Sequence, residues 1–95
     1  MMKAVWNGKL LAMSEKTVRV ERDYYFPKSS LHMEYFRPSV SRKPDAWLGL
    51  AHFYDIVVDG ELNADAAWYF PKPKPQGKVV EGKIAFAKNV QVFKE

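Results

Sequence analysis

The sequence predicts a mainly β fold: a single small domain of coiled antiparallel sheets over residues 1–95, with one short helix. The chain contains about eight short apolar or β-branched runs separated by turn residues. Two of the separators, Asn7-Gly8 and Asp59-Gly60, are strong hairpin signals. No alternation of strands with long helical segments is present, which excludes a parallel α/β sheet. A chain of 95 residues, 47% of them hydrophobic, is long enough for one core.

The first elements are short strands. Residues up to Asn7 form one strand, and Asn7-Gly8 turns the chain back into a second. Residues 17–21 then alternate between apolar and polar side chains, which places Val18 and Val20 inward. These two features predict a hairpin followed by a half-buried strand.

An aromatic strand and the only helix signal follow. Residues 24–26 form the strand, which ends at Pro27 because proline cannot donate to a β-ladder. Ser30 is a suitable N-cap for a helix over residues 31–36, and Pro38 ends that helix. The sequence therefore predicts about two helical turns packed as a lid on the sheet.

The centre of the chain is a predicted hairpin. Residues 39–45 are polar and read as a loop into a strand at Leu50–Val58. That strand is almost continuously apolar, which indicates that both of its faces are covered. Asp59-Gly60 then forms a two-residue turn and pairs the strand with Glu61–Asn63.

The last third is predicted to close the sheets. Residues 65–70 bring three aromatic side chains together, and alternating prolines make residues 71–75 an extended connector without ladder bonds. Lys88-Asn89 is a plausible turn between the last two strands. The closing strands are predicted at residues 79–82, 84–87 and 90–93.

Net charge is +4 and unevenly distributed. Residues 1–70 hold nine Lys/Arg and nine Asp/Glu, whereas residues 71–95 hold six Lys and two Glu. Six lysines without an arginine lack the bidentate fork that is common in phosphate recognition. We therefore interpret them as solvated side chains and rank nucleic-acid binding last among the functions.

Cysteine is absent, and only two histidines are present. The first fact excludes a disulfide framework and cysteine-based zinc or redox sites. His32 and His52 lack metal-ligand spacing, so we expect no metal and no cofactor. The opening segment, MMKAVWNGKLLAM, is too short and interrupted for a signal peptide or a membrane span, so we expect a cytoplasmic protein without a membrane partner.

Several segments together resemble a known family. They are KAVWNGK, Tyr25-Phe26-Pro27, Ser39, the set Trp47, Gly49, Ala51 and Tyr54, Ala67-Trp68-Tyr69, Pro73, Gly82 and Phe86. The chain is similar along nearly its whole length to the bacterial domain of unknown function numbered 427, which is also labelled a nucleotidyltransferase family. The resemblance implies a β-tent-like arrangement of coiled sheets without zinc.

The chain departs from the family pattern at one motif. Where many relatives resemble Cys-Pro-Trp-Lys-Gly, this chain has Asp45 in the Cys position and Leu48 in the Lys position. Nucleotidyl transfer usually requires convergent carboxylates that hold Mg²⁺. Strand alternation places Asp55 on one face and Asp65 on the other, so the spacing does not bring them together.

The first functional hypothesis is a small-ligand binding module with an aromatic pocket. Aromatic walls stack flat ligands or cations, although aromatic residues in a small β domain are more often core residues. Arg37 and Ser39 are the polar groups that we expect beside the pocket, where they would hold a flat or anionic ligand. The predicted aromatic members are Trp47, Tyr54, Trp68 and Tyr69.

The alternative hypothesis is an enzyme of unknown reaction. Its polar members would be Asp55, His52, and Ser39 or Arg37. His52 and Asp55 fall on opposite faces of one strand and form no dyad without a bulge. We expect Asp55 to be at least partly buried, because its neighbours on that face are apolar. Catalytic residues and oligomeric state stay open at this point.

Overall fold

The computed structural model describes all 95 residues and confirms a mainly β fold. Nine strands form two antiparallel sheets. In chain order they are β1 (Met2–Trp6), β2 (Lys9–Ser14), β3 (Val18–Val20), β4 (Asp23–Pro27), β5 (Phe36–Asp45), β6 (Gly49–Val58), β7 (Glu61–Tyr69), β8 (Lys83–Phe86) and β9 (Gln91–Lys94). The smaller sheet has the order β2-β1-β9, and the larger has the order β3-β4-β8-β7-β6-β5.

Both predicted hairpin turns are present. Asn7 and Gly8 have φ values of 50° and 76°, and Asp59 and Gly60 have 52° and 78°. Two successive positive φ values are the signature of a type I′ turn, which Asn-Gly and Asp-Gly tolerate. The second turn pairs β6 with β7 in the register that the sequence predicts, with Val58 opposite Glu61 and Val57 opposite Leu62.

A side-chain contact joins the two hairpins. The Asn7 Nδ2 donates to the Val58 carbonyl oxygen at 3.2 Å and to the Glu61 carboxylate at 2.9 Å. Asn7 thus forms part of the first hairpin turn and also holds the smaller sheet against the end of β6.

The larger sheet buries side chains on both of its faces. One face meets the smaller sheet across what we call the main core, which comprises Met2, Ala4, Leu11, Ala12, Phe26, Leu31, Phe36, Tyr54, Ile56, Val58, Ala66, Ala67, Ile84, Phe86 and Val90. The opposite face carries what we call the second core: Tyr25, Leu48, Ala51, Phe70, Val80 and Ala85. Strand alternation explains the division, since Ile84 and Phe86 join the main core while Ala85 between them joins the second.

The helix predicted over residues 31–36 is wrong. Two separate 3-10 turns occupy Lys28–Ser30 and Met33–Tyr35. Leu31 between them is extended, buried and paired with Ala12. The burial of Leu31 outweighs the weak local helix preference, which is the usual outcome when propensity and core packing compete. The Ser30 hydroxyl donates to the Pro27 carbonyl oxygen and does not cap a helix.

Residues 39–45 were predicted as a loop, and this too is wrong. They belong to β5, an edge strand whose register shifts between Pro38 and Arg42. An edge strand leaves one row of backbone groups unpaired and therefore accepts prolines such as Pro38 and Pro44. Its polar composition reflects exposure at the sheet edge.

Among the closing strands, β8 and β9 are confirmed and the one predicted at residues 79–82 is wrong. Pro75–Val80 forms a 3-10 helix instead. The connector before it lies against the start of β6, where the Lys74 amide donates to the Leu48 carbonyl oxygen at 3.0 Å. Gly49 has a φ of 124°, and a Cβ there would stand 3.2 Å from the Lys72 carbonyl oxygen. Only glycine permits this close approach.

Strand β6 is paired on both sides but is not covered on both faces along its length. Tyr54, Ile56 and Val58 are buried in the main core. On the other face Ala51 is buried, whereas Asp55 is only half-buried. The cover of the second face therefore ends part-way along the strand. No helix in the structure is long and apolar enough to cross a membrane.

Candidate functional site

A cleft of about 190 Å³ opens beside the second core, on the face of the larger sheet that turns away from the smaller one. It is lined by Val20, Glu21, Asp23, Tyr25, Lys43, Pro44, Asp45, Leu48, Ala51, Phe53, Trp68 and Phe70. Four of these residues are aromatic, and four carry a formal charge. The cleft therefore combines flat apolar walls with a charged part.

Sheet register places the aromatic walls. Trp68 on β7 lies directly between Phe53 on β6 and Ala85 on β8. The Phe53 and Trp68 ring centroids are 6.3 Å apart with the rings tilted by 53°. Because Ala51 is small, it leaves space on this face of the sheet. This space is what the cleft occupies.

Tyr25 contributes a buried hydroxyl. Its side chain is only 2% exposed, and its oxygen accepts a hydrogen bond from the Trp68 Nε1 at 3.3 Å. Burial raises the pKa of Tyr25, the Trp68 hydrogen bond opposes that shift, and the charges of Asp23, Asp45 and Glu21 add to it. The phenol is thus protonated at neutral pH, and no protein atom accepts its proton in a hydrogen bond.

The charged part of the lining is acidic. Three carboxylates, from Glu21, Asp23 and Asp45, face one ammonium group, from Lys43, which gives the lining a formal charge of −2. Burial raises the pKa of Asp23, and nearby Glu21 raises it further while Lys88 opposes the shift. The cleft therefore has the opposite sign to the chain as a whole, whose net charge is +4.

Asp45 has a structural role as well. Its Oδ1 accepts the backbone amides of Trp47 and Leu48, both at 2.8 Å. These bonds hold the turn between β5 and β6 and fix Leu48 against the cleft. The residue in the family's Cys position thus shapes this turn and also lines the cleft.

The predicted aromatic residues do not converge on one site. Trp68 alone lines the cleft. Trp47 is 61% exposed at the turn, outside the cleft. Tyr54 and Tyr69 stack on each other with centroids 5.1 Å apart, and both belong to the main-core side of the sheet. They border a separate depression that also contains Lys83, but Tyr54 offers it little surface because it is 8% exposed.

The predicted polar residues also lie away from the cleft. Arg37 is exposed, and its guanidinium donates to the carbonyl oxygens of Glu34 and Phe36 at 2.8 and 3.0 Å. Ser39 donates to the Asp65 Oδ1 at 2.6 Å. Neither side chain faces an aromatic wall of the cleft.

Ser39 belongs to a hydrogen-bonded network that the sequence did not predict. Ser41 donates to the other Asp65 oxygen at 2.7 Å, and the Asp65 amide donates to the Asp55 Oδ1 at 2.8 Å. The hydrogen bonds from Ser39 and Ser41 lower the pKa of Asp65. Asp55 is half-buried, as predicted. The prediction that Asp55 and Asp65 lie on opposite faces and stay apart is wrong, because the register between β6 and β7 shifts between Tyr54 and Ile56.

His52 stands apart from these carboxylates. Its ring lies 5.7 Å from that of Tyr69, and no carboxylate is within hydrogen-bonding distance. Desolvation lowers the pKa of His52, and Arg42 lowers it further. No three His, Asp or Glu side chains gather as a set of metal ligands.

Sequence reasoning missed most of the cleft. It treated Tyr25 and Phe53 only as strand residues and the three lining carboxylates as unrelated. Cross-strand register was the missing signal. The Asp59-Gly60 turn alone would place Trp68 opposite Ala51, and the register shift between Tyr54 and Ile56 places it opposite Phe53 instead.

Comparison with protein families adds a finding to this geometry. A family model described as a domain of unknown function, DUF427, matches residues 1–95. The chain belongs to the DUF427 family. No match was found among curated proteins. The family's nucleotidyltransferase label gains no support from the carboxylates of this DUF427 chain, because the Asp55–Asp65 pair is engaged in the network that holds two irregular strands together.

Proposed function

We propose that this chain is a small-ligand binding module and that the cleft beside Trp68 is its binding site. The observation that carries the proposal is an aromatic-walled space with a buried hydroxyl whose proton has no acceptor. Ligand sites in proteins are commonly concave and apolar with a few placed polar groups. The Trp68 and Phe53 rings supply the walls here, and Tyr25 supplies the directional donor.

The cleft volume sets the size of the ligand. An apolar cavity of about 150 Å³ is large enough to hold benzene. The cleft measures about 190 Å³ and is smaller than most drug-sized sites. We therefore expect a flat ligand with one ring, or one ring of a larger molecule whose remainder stays in solvent. Stacking on an aromatic side chain contributes about 1 to 3 kcal/mol per ring.

A thermal-shift screen with single-ring metabolites and nucleobases tests the proposal. A ligand at about 100 times its dissociation constant adds about 2.7 kcal/mol to the free energy of unfolding, which gives a readily measured shift. We expect Trp68→Leu to abolish the shifts and Tyr25→Phe to weaken them for ligands that carry an acceptor.

Trp47→Phe is the matched control, because Trp47 is exposed and outside the cleft. It should leave every shift unchanged. Shifts that survive Trp68→Leu, or that disappear in the Trp47 variant, would place binding elsewhere and contradict the proposal. Each variant's fold is checked first by circular dichroism and its own unfolding midpoint.

A further inference from the structure

We propose that the ligand of this cleft is a flat single-ring organic cation, an inference that rests on the binding function proposed above. Two features of the lining favour a positive charge. Carboxylates outnumber ammonium groups by three to one. Aromatic faces attract cations through the negative potential above the ring.

The carboxylates approach from two separate elements. Glu21 lies in the two-residue turn between β3 and β4 and Asp23 follows that turn, whereas Asp45 ends β5. All three contribute to the potential at Tyr25, whose pKa they raise. Lys43, the one opposing charge in the lining, is exposed, as is Glu21, whereas Asp23 and Asp45 are half-buried. A cation in the cleft is thus attracted from both sides, and an anion is repelled.

The Tyr25 hydroxyl provides evidence about the ligand that does not depend on the charges of the lining. It is buried, it accepts from Trp68, and its proton has no acceptor in the protein. Because Tyr25 also lines the cleft, its hydroxyl can donate to an acceptor atom of a bound ligand while it keeps the bond from Trp68. The ligand that fits both features has a cationic group toward the carboxylates and an acceptor atom toward Tyr25.

The protonation of Asp23 gives this inference a pH dependence. Because its carboxyl is partly buried beside Glu21, its pKa is raised. A bound cation favours the ionised carboxylate, so cation affinity should fall as pH falls through the raised pKa of Asp23. The other charges around the cleft are Asp45, Lys43 and Lys88, of which Lys88 lowers that pKa.

The test uses three probes that share a ring and differ in charge. They are 4-hydroxybenzamidinium, 4-hydroxybenzamide and 4-hydroxybenzoate, and in each the phenol oxygen can accept from Tyr25. Binding is measured on the full chain by isothermal titration calorimetry, which serves equally for variants that lack Trp68. We expect the amidinium to bind most tightly, the amide about tenfold more weakly, and the benzoate most weakly of all.

Charge-neutral variants separate electrostatics from shape. The pair Glu21→Gln and Asp23→Asn should weaken amidinium binding about tenfold and leave amide binding within about twofold. Glu34→Gln is the matched control, because Glu34 is an exposed carboxylate outside the cleft. It should not change the affinity for any of the three probes.

The possible outcomes distinguish the cationic character of the ligand from the binding function of the cleft. If the amide or the benzoate bound as tightly as the amidinium or more tightly, and this binding were lost in Trp68→Leu, the ligand would not be a cation but the cleft would still be the binding site. Amidinium binding that persists in Trp68→Leu would overturn both. Absence of amidinium binding at millimolar concentration would also contradict a cationic ligand. The metabolite screen alone would then decide the proposed binding function.

Discussion

The two cores of this small protein lie on opposite faces of the same sheet and differ in how they are covered. The main core has 15 buried residues between two sheets. The second core has six, with Val20, Phe53 and Trp68 half-buried around it. Adjacent residues of the same strands serve both, as Tyr25 and Phe26 on β4 show. The covering layer, and not the strands, therefore makes one face a sealed core and the other a cleft.

The cover of the second core is made of irregular segments. Its buried contributions from outside the strands are Leu48 in the turn before β6, Phe70 just after β7, and Val80 at the end of a 3-10 helix. Such segments have few ladder bonds and pack over a small area, whereas the smaller sheet covers the main core with three strands. Incomplete cover leaves aromatic faces accessible, which is what a binding site needs.

The largest expected contrast between the two cores comes from deleting a phenyl ring in each. Phe26 is fully buried in the main core, with its ring edge-on to Phe86 at 5.5 Å. Phe26→Ala should cost about 3 to 5 kcal/mol, enough to unfold a domain of this size. Phe53→Ala, in the wall of the cleft, should cost about 1 to 2 kcal/mol because the ring is half-exposed.

Urea denaturation followed by circular dichroism measures both free energies of unfolding. A Phe53→Ala cost equal to that of Phe26→Ala would mean that the cleft side is as tightly packed as the main core. That result would contradict looser packing on the cleft side of the sheet.

Local signals predicted the parts of the fold that local chemistry determines. Asn7-Gly8 and Asp59-Gly60 specify their turns through the positive φ that those residues tolerate, so two hairpins and one register were predicted correctly. Leu31 was misassigned because its pairing with Ala12 is a contact between distant parts of the chain. Residues 39–45 were misassigned because an edge strand can be as polar as a loop.

The cleft was harder to predict than the fold. Trp68 is the one predicted aromatic residue that lines the cleft, because the sequence does not reveal which face of the sheet each of the others occupies. Tyr69 is its neighbour in sequence yet points to the opposite face. The acidic lining depends on Glu21, Asp23 and Asp45 meeting across two turns, which no spacing in the sequence reveals.

The second contrast concerns how polar groups are buried. Asn63 is the single buried polar residue, and it exchanges two amide hydrogen bonds with Asn89, at 2.9 and 3.2 Å. Asn63→Ala removes both bonds and should cost about 1 to 3 kcal/mol. Asn89→Ala should cost less, because Asn89 is exposed. A double-mutant cycle on urea denaturation measures the coupling, and a coupling near zero would contradict a role for the pair.

A third, smaller effect tests the cover of the second core directly. A Cβ on Gly77 would stand 3.1 Å from the Leu48 carbonyl oxygen and 3.3 Å from its Cα. Gly77→Ala should therefore push the 3-10 helix away from Leu48 and cost about 1 to 2 kcal/mol. Gly8→Ala is a useful comparison, because an added Cβ there meets open space and only the positive φ opposes it.

Gly77→Ala should also change ligand affinity, since Leu48 lines the cleft, and Gly8→Ala should not. The measurements are urea denaturation and a titration with whichever ligand the screen identifies. Unchanged binding in a Gly77→Ala variant that is nonetheless destabilised would show that the cover and the cleft are independent.

The smallest expected effects are on the pH dependence of the free energy of unfolding. They have opposite signs for Asp65 and Asp23. Hydrogen bonds from Ser39 and Ser41 lower the pKa of Asp65 in the folded state. Its carboxylate therefore adds stability above its unfolded pKa, and that stability is lost as pH falls through the lower folded value. Burial raises the pKa of Asp23, so its contribution favours folding below its unfolded pKa and is lost as pH rises through the higher folded value.

Replacing each aspartate by asparagine separates the two cases. Asp65→Asn should lower the free energy of unfolding at neutral pH, and its difference from the natural chain should shrink in acid. Asp23→Asn should be neutral or stabilising at neutral pH, because the cleft holds that carboxylate ionised at a cost. Asp59→Asn is the control, since it preserves the turn as Asn-Gly. Unfolding midpoints from pH 3 to pH 7, about the range in which carboxyl groups titrate, measure the slopes. Slopes of the same sign in both variants would contradict the distinction between a satisfied carboxylate in the sheet and an unsatisfied one in the cleft.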